Sequence, residues 1–424
     1  MRHLECALEA QPEIRVGIMK SREIHPIFHG SFLHEPSDGY SEIISRHIPQ
    51  EKDALFSLQD VSIGIDFHWQ KRESQTFRGI LELHREADEI RALNILPLED
   101  YLESVVSSEM SASAPLEFLK AHAVISRSWA LRKILARLDP QEEKSCVAKC
   151  EREDEVIRWY DGDGHEGFDV CADDHCQRYQ GVGRLTSEAA SEAVRATRGE
   201  VILSDEEQWG IVDARFSKCC GGAMETFDTC WDDTPHSCLR PGRDSLSALL
   251  PDLRDEATAR KWIMDSPEAF CRDADEALLK EVLNDYDLPT RDFYRWKVEY
   301  STGELEDILR RKSGFDFGEL LELTPLQRGA SGRISRLRIV GSRLTMTVGK
   351  ELEIRRWLSE THLYSSAFVA ERRRAGGWGL HGAGWGHGVG LCQIGAAVMA
   401  SRGIDHRRIL AHYYPGSRLA TLWE

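Results

Sequence analysis

Long apolar runs are missing from this sequence of 424 residues. None approaches the roughly 18 residues of a membrane-spanning helix, so no membrane span is predicted. The first 26 residues have no apolar stretch behind a basic segment, and they therefore do not resemble a signal peptide. Basic residues are also in deficit, because 54 Lys and Arg face 71 Asp and Glu and give a formal net charge of −17. This balance argues against nucleic acid or anionic lipid as a partner, since both favour basic surfaces.

The cysteines lack the even framework of a small disulfide-rich secreted protein. There are 11 of them. Most form close pairs in the sequence, at Cys146/Cys150, Cys171/Cys176, Cys219/Cys220 and Cys230/Cys238. Close pairs near histidines favour metal binding or reduced thiols over a disulfide scaffold.

Both helical and strand-like patterns are present, which predicts an α+β fold of mixed helices and antiparallel strands with a helical insertion. Polar and apolar residues alternate at Glu13–Met19, Leu337–Val340 and Leu344–Val348, as in half-buried strands, whereas residues 100–137 have helical periodicity. We divide the chain into an N-terminal β-rich part (1–90), the candidate catalytic helices with a Cys/His-rich loop (91–240), a helical insertion (241–330), and C-terminal strands with a Gly-rich Trp/His loop (331–424).

A carboxylate lies on the apolar face of the first predicted helix. Leu98, Leu102, Val105 and Val106 form a stripe at helical spacing, and Glu109 projects from the same stripe. Burial would raise the pKa of such a carboxyl and keep it protonated as a general acid. The alternative is that Glu109 ends the helix and turns into solvent.

A basic residue lies on the small-residue face of the second predicted helix. Arg127 is flanked there by Ala123 and Ala130. Its guanidinium needs either a substrate oxygen or an internal carboxylate as partner, and both interpretations stay open.

A glycine-rich loop occupies residues 376–395, in which nine of twenty residues are glycine. It lacks the Gly-Lys-Ser/Thr end of a phosphate-binding P-loop, so nucleotide binding is not predicted. Trp378 and Trp385 offer faces suited to sugars, and His387 is a candidate acid, base or hydrogen-bond donor. The density of these residues favours a binding site.

A candidate zinc site is formed by His165, Cys171, His175 and Cys176, which lie within twelve residues. His175 and Cys176 are adjacent in the sequence, and adjacent residues do not always bind the same ion. Cys146 or Cys150 is therefore an alternative fourth ligand. The competing interpretation makes Cys171 and Cys176 buried small residues or a redox pair.

Several segments together resemble the stage II sporulation protein D / amidase-enhancer family. They are Ile14–Gly17, Leu96–Leu102 with Glu109-Met110, Leu119–Val124 with Arg127, Cys176–Gly181, Ser217–Gly222, Gly384–Gln393 with Gly395-Ala396, and His412–Gly416. The sequence departs from the family pattern at Ser111–Pro115 and at Lys218-Cys219-Cys220. The resemblance implies a lytic transglycosylase that cuts the N-acetylmuramic acid to N-acetylglucosamine bond of peptide-free peptidoglycan strands. Some family members are described instead as enhancers of an amidase.

The resemblance also implies roles for particular residues. Glu109 would be the single catalytic acid and base, with Lys120, Arg127, Trp385, His387 and Gln393 binding substrate, and some relatives bind zinc near residues 165–176. The expected partners are glycan strands and an amidase, which points to the cell envelope or export. The missing signal peptide leaves the cytoplasm open. A thiol hydrolase that uses Cys392 or Cys219 with His387 is a further alternative, without a nucleophile motif to support it.

Overall fold

The computed structural model describes residues 10–36, 42–65, 70–139, 149–160, 165–246, 249–290 and 292–424. Within these residues the strands are β1 (Glu13–Ser21), β2 (Ile27–His29), β3 (Phe32–Pro36), β4 (Ile43–Pro49), β5 (Leu55–Ile63), β6 (Lys71–Phe77), β7 (Ile80–Glu86), β8 (Glu89–Pro97), β9 (Lys149–Arg152), β10 (Glu155–Arg158), β11 (Val170–Cys171), β12 (Glu200–Leu203), β13 (Phe216–Ser217), β14 (Ala223–Met224), β15 (Gly242–Arg243), β16 (Arg295–Tyr300), β17 (Leu320–Arg328), β18 (Ile334–Gly341), β19 (Thr345–Gly349), β20 (Phe368–Arg372), β21 (Trp378–Ala383), β22 (Leu391–Cys392) and β23 (Arg418–Thr421).

The same residues also form α-helices. They are α1 (Leu98–Glu109), α2 (Leu116–Leu138), α3 (Glu188–Ala196), α4 (Glu256–Asp265), α5 (Glu276–Val282), α6 (Thr302–Ser313), α7 (Glu351–Trp357), α8 (Gln393–Ser401) and α9 (His406–Tyr413). The sequence predictions of strands at β1, β18 and β19 and of helices at α1 and α2 are confirmed. None of these described helices is both long and apolar enough to cross a membrane.

Two larger sheets organise the strands. One has the order β11-β1-β8-β7-β4-β3, and the other has the order β17-β18-β19-β10-β9. Most pairings are antiparallel, while β1 with β11 and β10 with β19 are parallel. The predicted α+β class is confirmed.

The sheets join distant parts of the chain. β10 pairs with β19, and β16 pairs with β21, so strands from before, within and after residues 241–330 share sheets. A hydrophobic core beneath the first sheet includes α1, α2 and α8, and a second core lies among β16–β21, α6 and α7. The four sequence segments therefore intermix in the fold.

Candidate active site and metal centre

Glu109 is the last residue of α1. Pro97 precedes the helix, and Met110 ends it in an extended conformation. The apolar stripe of Leu98, Leu102, Val105 and Val106 is fully buried. Because Glu109 continues this stripe, its side chain is drawn inward and only 8% of the residue is exposed. The predicted alternative of a solvent-facing Glu109 is not what the structure shows.

The surroundings of Glu109 favour its protonated form. Burial raises the pKa of this carboxyl, and the negative charge of Asp174 adds to the rise. The charges of Arg178 and Lys218 and a hydrogen bond from the Arg178 backbone N–H to Oε1, at 2.9 Å, act in the opposite direction. Burial is the largest of these effects, so the pKa stays above its ordinary value.

The two cations beside Glu109 are themselves neutralised. The Arg178 guanidinium donates to Asp174 at 2.6 Å and to Asp287 at 3.3 Å, and the Lys218 ammonium donates to Asp287 at 2.9 Å. Lys218 also donates to the backbone carbonyl of Glu109 at 3.2 Å. The cations therefore hold the end of α1 in place, and burial still outweighs their lowering effect on the pKa of Glu109.

Glu109 lines a pocket of about 250 Å³. The sequence-predicted residues Trp385, His387 and Gln393 line the same pocket, together with His175 and Cys176 of the Cys/His cluster. The remaining aromatic and cationic lining consists of Trp129, Tyr160, Phe216, Trp231, Arg178, Arg215, Lys218 and Arg355. Apolar ring faces beside charged groups suit a ligand that is partly apolar and partly polar.

The glycine-rich loop is wrapped around a buried cation. The Arg333 guanidinium donates to the carbonyls of Gly386 at 3.0 Å and Cys220 at 3.2 Å. Gly388 has a φ of 75°, and a Cβ there would come within 2.4 Å of Arg333. Glycine is thus required at this position both for the backbone conformation and for the close approach. The loop presents Trp385 and His387 from a fixed backbone.

His387 is neutral in this setting. Burial and the nearby Arg215, Arg333 and Arg355 lower its pKa to about 3. Its Nδ1 accepts a hydrogen bond from the Val389 N–H at 3.0 Å, which places the proton of the neutral ring on Nε2. His387 can therefore donate a hydrogen bond but cannot act as a cationic acid near neutral pH.

Gln393, the first residue of α8, is oriented by a buried histidine. Its amide nitrogen donates to Nε2 of His122 at 2.9 Å, and Nδ1 of His122 faces Ser126 Oγ at 3.2 Å. Burial and the charge of Lys218 lower the pKa of His122 to about 3, so the ring stays a neutral acceptor for Gln393.

Lys120 and Arg127 lie away from this pocket lining. Arg127 is fully buried and binds Glu99 in a bidentate pair, with bonds of 2.9 and 2.7 Å. Of the two open interpretations of Arg127, the structure thus shows the internal Arg–Glu pair. Lys120 donates to Glu117 at 2.7 Å on the same helix. Both cations pair with acidic residues of α2 or α1, and neither lines the pocket.

The Cys/His cluster brings together the four predicted ligands His165, Cys171, His175 and Cys176. One ligand atom from each lies within 4.8 Å of the others, so the cluster could hold a metal ion. Cys176 Sγ lies 3.5 Å from His165 Nε2 and 3.6 Å from His175 Nδ1. The adjacent His175 and Cys176 both place an atom in this cluster, whereas Cys150 is exposed on β9 and Cys146 lies outside the described residues.

Sequence reasoning missed part of the site. Arg178 and Lys218 were visible only as members of family-like motifs, and Asp174 supplies a second carboxylate on the pocket. Asp287 comes from the predicted insertion. The candidate nucleophiles Cys219 and Cys392 are fully buried and are not among the residues that line the pocket.

The fold and the site define an α+β protein with a buried glutamic acid in an aromatic-lined pocket beside a Cys/His cluster. Residues 86–203 match the family model described as Stage II sporulation protein, and residues 225–390 match a domain of unknown function, DUF8618.

Curated relatives extend this match over most of the chain. The amidase enhancer of Bacillus subtilis (strain 168) is 23% identical over 326 residues, which are 76% of this chain and 40% of that protein. Stage II sporulation protein D of Bacillus amyloliquefaciens is 24% identical over 323 residues, 76% of this chain and 73% of that protein. An uncharacterized protein of Brachyspira hyodysenteriae is 24% identical over 329 residues, covering 78% and 68%. Residues 86–203 thus form a Stage II sporulation protein domain, and most of the chain is similar to stage II sporulation protein D and to the amidase enhancer.

Proposed function

We propose that the protein is a peptidoglycan lytic transglycosylase that cleaves the bond from N-acetylmuramic acid to N-acetylglucosamine in peptide-free glycan strands. The observation that carries this proposal is the buried Glu109, whose pKa is raised and which lines a pocket with Trp385, His387 and Gln393. A buried carboxyl with a raised pKa in an aromatic pocket is suited to protonate a glycosidic oxygen.

One carboxyl suffices for this reaction. Glu109 gives its proton to the bridging oxygen as the bond from that oxygen to the anomeric carbon of muramic acid breaks. The C6 hydroxyl of the same sugar then attacks the anomeric carbon and returns its proton to the Glu109 carboxylate. The product is a 1,6-anhydro sugar, no water is consumed, and Glu109 is ready for another cycle.

The charges in the pocket are compatible with this substrate. Peptide-free muramic acid carries a free lactyl carboxylate. Arg178, Arg215, Lys218 and Arg355 all line the pocket, although the whole chain has a net charge of −17. Each of these cations is already paired with a carboxylate of the protein, so they offer an anionic sugar hydrogen-bond donors in a charge-balanced wall.

The Cys/His cluster is proposed to bind a structural zinc ion. For bonds of about 2.3 Å to sulfur and 2.05 Å to nitrogen, tetrahedral geometry sets sulfur and nitrogen about 3.6 Å apart. The observed sulfur-to-nitrogen separations are 3.5, 3.6 and 3.9 Å. Since Arg178 follows Cys176 by two residues and its N–H binds Glu109, the ion would fix the loop that holds the catalytic carboxyl.

Asp174 is a second carboxylate in the pocket, so ordinary hydrolysis is a competing reaction. Asp174 lines the pocket, and a glycosidase generally uses two carboxyl groups. Here the Arg178 guanidinium donates to Oδ1 of Asp174 at 2.6 Å. This ion pair favours a role for Asp174 in holding Arg178 over a role as nucleophile or base.

The alternative function is non-catalytic binding of the cell wall, with enhancement of a separate amidase. The match to a protein named amidase enhancer favours it. In that case the pocket would bind glycan strands, and the protonation of Glu109 would not matter for function.

The test is incubation of wild type and Glu109→Gln with peptide-free glycan strands, followed by mass spectrometry of the products. The amide can still accept the Arg178 N–H but cannot donate the acid proton. We expect 1,6-anhydro products from wild type and a rate loss on the order of 10²- to 10⁴-fold in the variant. Glu103→Gln, the same change on the same helix, is the matched control and should stay active.

Two other outcomes would contradict the proposal. Products with ordinary reducing ends, lost equally in Glu109→Gln and Asp174→Asn, would mean two-carboxylate hydrolysis. Strands bound but uncut by wild type would favour the amidase-enhancer function.

A further inference from the structure

A second group of potential metal ligands lies in the interior, away from the Cys/His cluster. It consists of Cys220 after β13, Asp244 after β15, Cys271 in the 3-10 turn Phe270–Arg272, and Cys392 before α8. These residues are 2%, 0%, 4% and 0% exposed. One ligand atom of each lies within 4.8 Å of the others. Sequence reasoning did not anticipate this group.

Backbone N–H groups and one hydroxyl donate hydrogen bonds to three of the four potential ligands, as is expected for anionic ligand atoms. Cys392 Sγ accepts from the N–H groups of Cys220 at 3.2 Å and Gly395 at 3.4 Å. The second of these is the cap of α8, where the helix dipole favours negative charge. Cys220 Sγ accepts from the Gly222 N–H at 3.4 Å.

Asp244 is oriented by a separate set of donors. Tyr413 Oη donates to its Oδ1 at 2.7 Å, and the Cys271 N–H donates to its Oδ2 at 2.8 Å. A Cβ at Gly395 would come within 2.7 Å of Oδ1, so glycine leaves room for the carboxylate. Each carboxylate oxygen keeps a free lone pair after accepting one hydrogen bond.

We propose that Cys220, Asp244, Cys271 and Cys392 bind a second zinc ion in a closed structural site. Cysteine sulfur and carboxylate oxygen are both ligands of tetrahedral zinc, and this set corresponds to a Cys3His site with Asp in place of His. Zinc–sulfur bonds of about 2.3 Å place two sulfurs about 3.8 Å apart at the corners of a tetrahedron. Cys220 Sγ and Cys271 Sγ lie 3.8 Å apart. A disulfide would require about 2.05 Å.

Charge and space favour a single cation. The hydrogen bonds described above all come from neutral donors, so thiolates and a carboxylate buried here would be costly without a positive ion. The ligands of an iron–sulfur cluster bind different irons and lie farther apart than those of one ion. Ligand atoms within 4.8 Å of one another leave room for a mononuclear site.

The second ion would join two parts of the molecule that the sequence separates. Cys220 and Cys392 lie in family-like motifs, whereas Asp244 and Cys271 lie in the predicted insertion. Lys218 is two residues before Cys220, and Gln393 directly follows Cys392, and both line the Glu109 pocket. The ion would therefore fix the insertion against the pocket wall.

The test uses the full chain with Cys171→Ser and Cys176→Ser, which disable the Cys/His cluster. Elemental analysis should find about one zinc per chain. X-ray absorption should show three sulfurs near about 2.3 Å and one oxygen near about 2.0 Å. This sulfur count also separates the proposed site from any residual binding at the Cys/His cluster, whose set has two histidines.

In this double variant, a further Cys271→Ser substitution should abolish zinc binding. A further Cys238→Ser substitution, at a buried cysteine outside both groups, should leave the zinc content unchanged. Because Cys271→Ser could unfold the chain, Asp244→Cys provides an independent check and should raise the sulfur count from three to four. A zinc-free chain, a Cys220–Cys271 disulfide in the mass spectrum, or bound iron with sulfide would each overturn the proposal.

Discussion

At the scale of single residues, the proton on Glu109 is set by a balance between burial and nearby charges. As a general acid Glu109 must be protonated, so the rate should fall as pH rises through its raised pKa. Asp174 helps to raise that pKa. We expect Asp174→Asn to lower the Glu109 pKa and to move the alkaline limb of the kcat/KM profile to lower pH.

The measurement compares pH–rate profiles of wild type and Asp174→Asn on glycan strands. Asp252→Asn removes the same charge from an exposed site outside the pocket and should leave the limb unchanged. If the alkaline limb of Asp174→Asn moves to higher pH, or stays where it is in wild type, the role of Glu109 as the acid is contradicted.

His122 orients the Gln393 amide, and its ring also packs against the pocket residue Phe216 at 4.9 Å, a contact that Phe can keep. Replacing His122 with Phe removes the acceptor that orients the Gln393 amide. A net hydrogen bond of about 1 kcal/mol corresponds to a loss of up to roughly tenfold in kcat/KM. We expect KM to rise more than kcat falls, because Gln393 is proposed to bind substrate. Steady-state kinetics checks this, with Ser126→Ala as a control that leaves the His122–Gln393 bond. An unchanged KM would remove Gln393 from the binding site.

At the scale of elements, periodicity was sufficient for α1 and α2 because their apolar stripes are long and regular. It placed Glu109 on the buried face correctly. The partner of Arg127 could not be predicted, since Glu99 lies 28 residues earlier and only the packing of α1 on α2 brings the two together. The pocket residues Trp385 and His387 were found because they cluster in one loop, whereas Gln393 was found only through the family-like motif Gly384–Gln393.

The first residue of α9 is a histidine that contacts carboxylates of α2 and β12. His406 Nδ1 lies 3.0 Å from Glu117 and its Nε2 lies 3.2 Å from Glu200, and these carboxylates raise its pKa. Because the folded pKa is raised, the stabilisation is complete below about pH 6.5 and is lost as pH rises through the folded value.

His406→Ala should therefore lower the free energy of unfolding by about 1–2 kcal/mol near pH 6. The loss should become smaller as pH rises toward about pH 9 and the wild-type ring loses its proton. Urea unfolding at both pH values measures the difference. His25→Ala, at a highly exposed ring, should have no effect at either pH. An equal loss at both pH values would mean that the charge of His406 does not matter.

At the scale of the whole molecule, the two ligand groups differ in how far apart their residues lie in the sequence. His165, Cys171, His175 and Cys176 are close enough for spacing alone to predict them. Cys220 and Cys392 are separated by 172 positions, so only the tertiary fold brings them together. The same holds for Asp287, which reaches Lys218 across 69 positions. Short-range spacing thus predicts local sites and misses those assembled from several elements.

The two proposed zinc sites differ in exposure, so a chelator should remove their ions at different stages. His175 is exposed and lines the Glu109 pocket, whereas the second group is almost fully buried. We expect a mild chelator to remove about one zinc per chain from the folded protein. Activity should fall in parallel, because the loop from Cys176 to Arg178 holds Glu109. The second zinc should leave only when denaturant opens the core. Metal release followed with a chromogenic indicator, alongside product formation, measures both steps. Simultaneous loss of both ions, or full activity after loss of the first, would contradict this assignment.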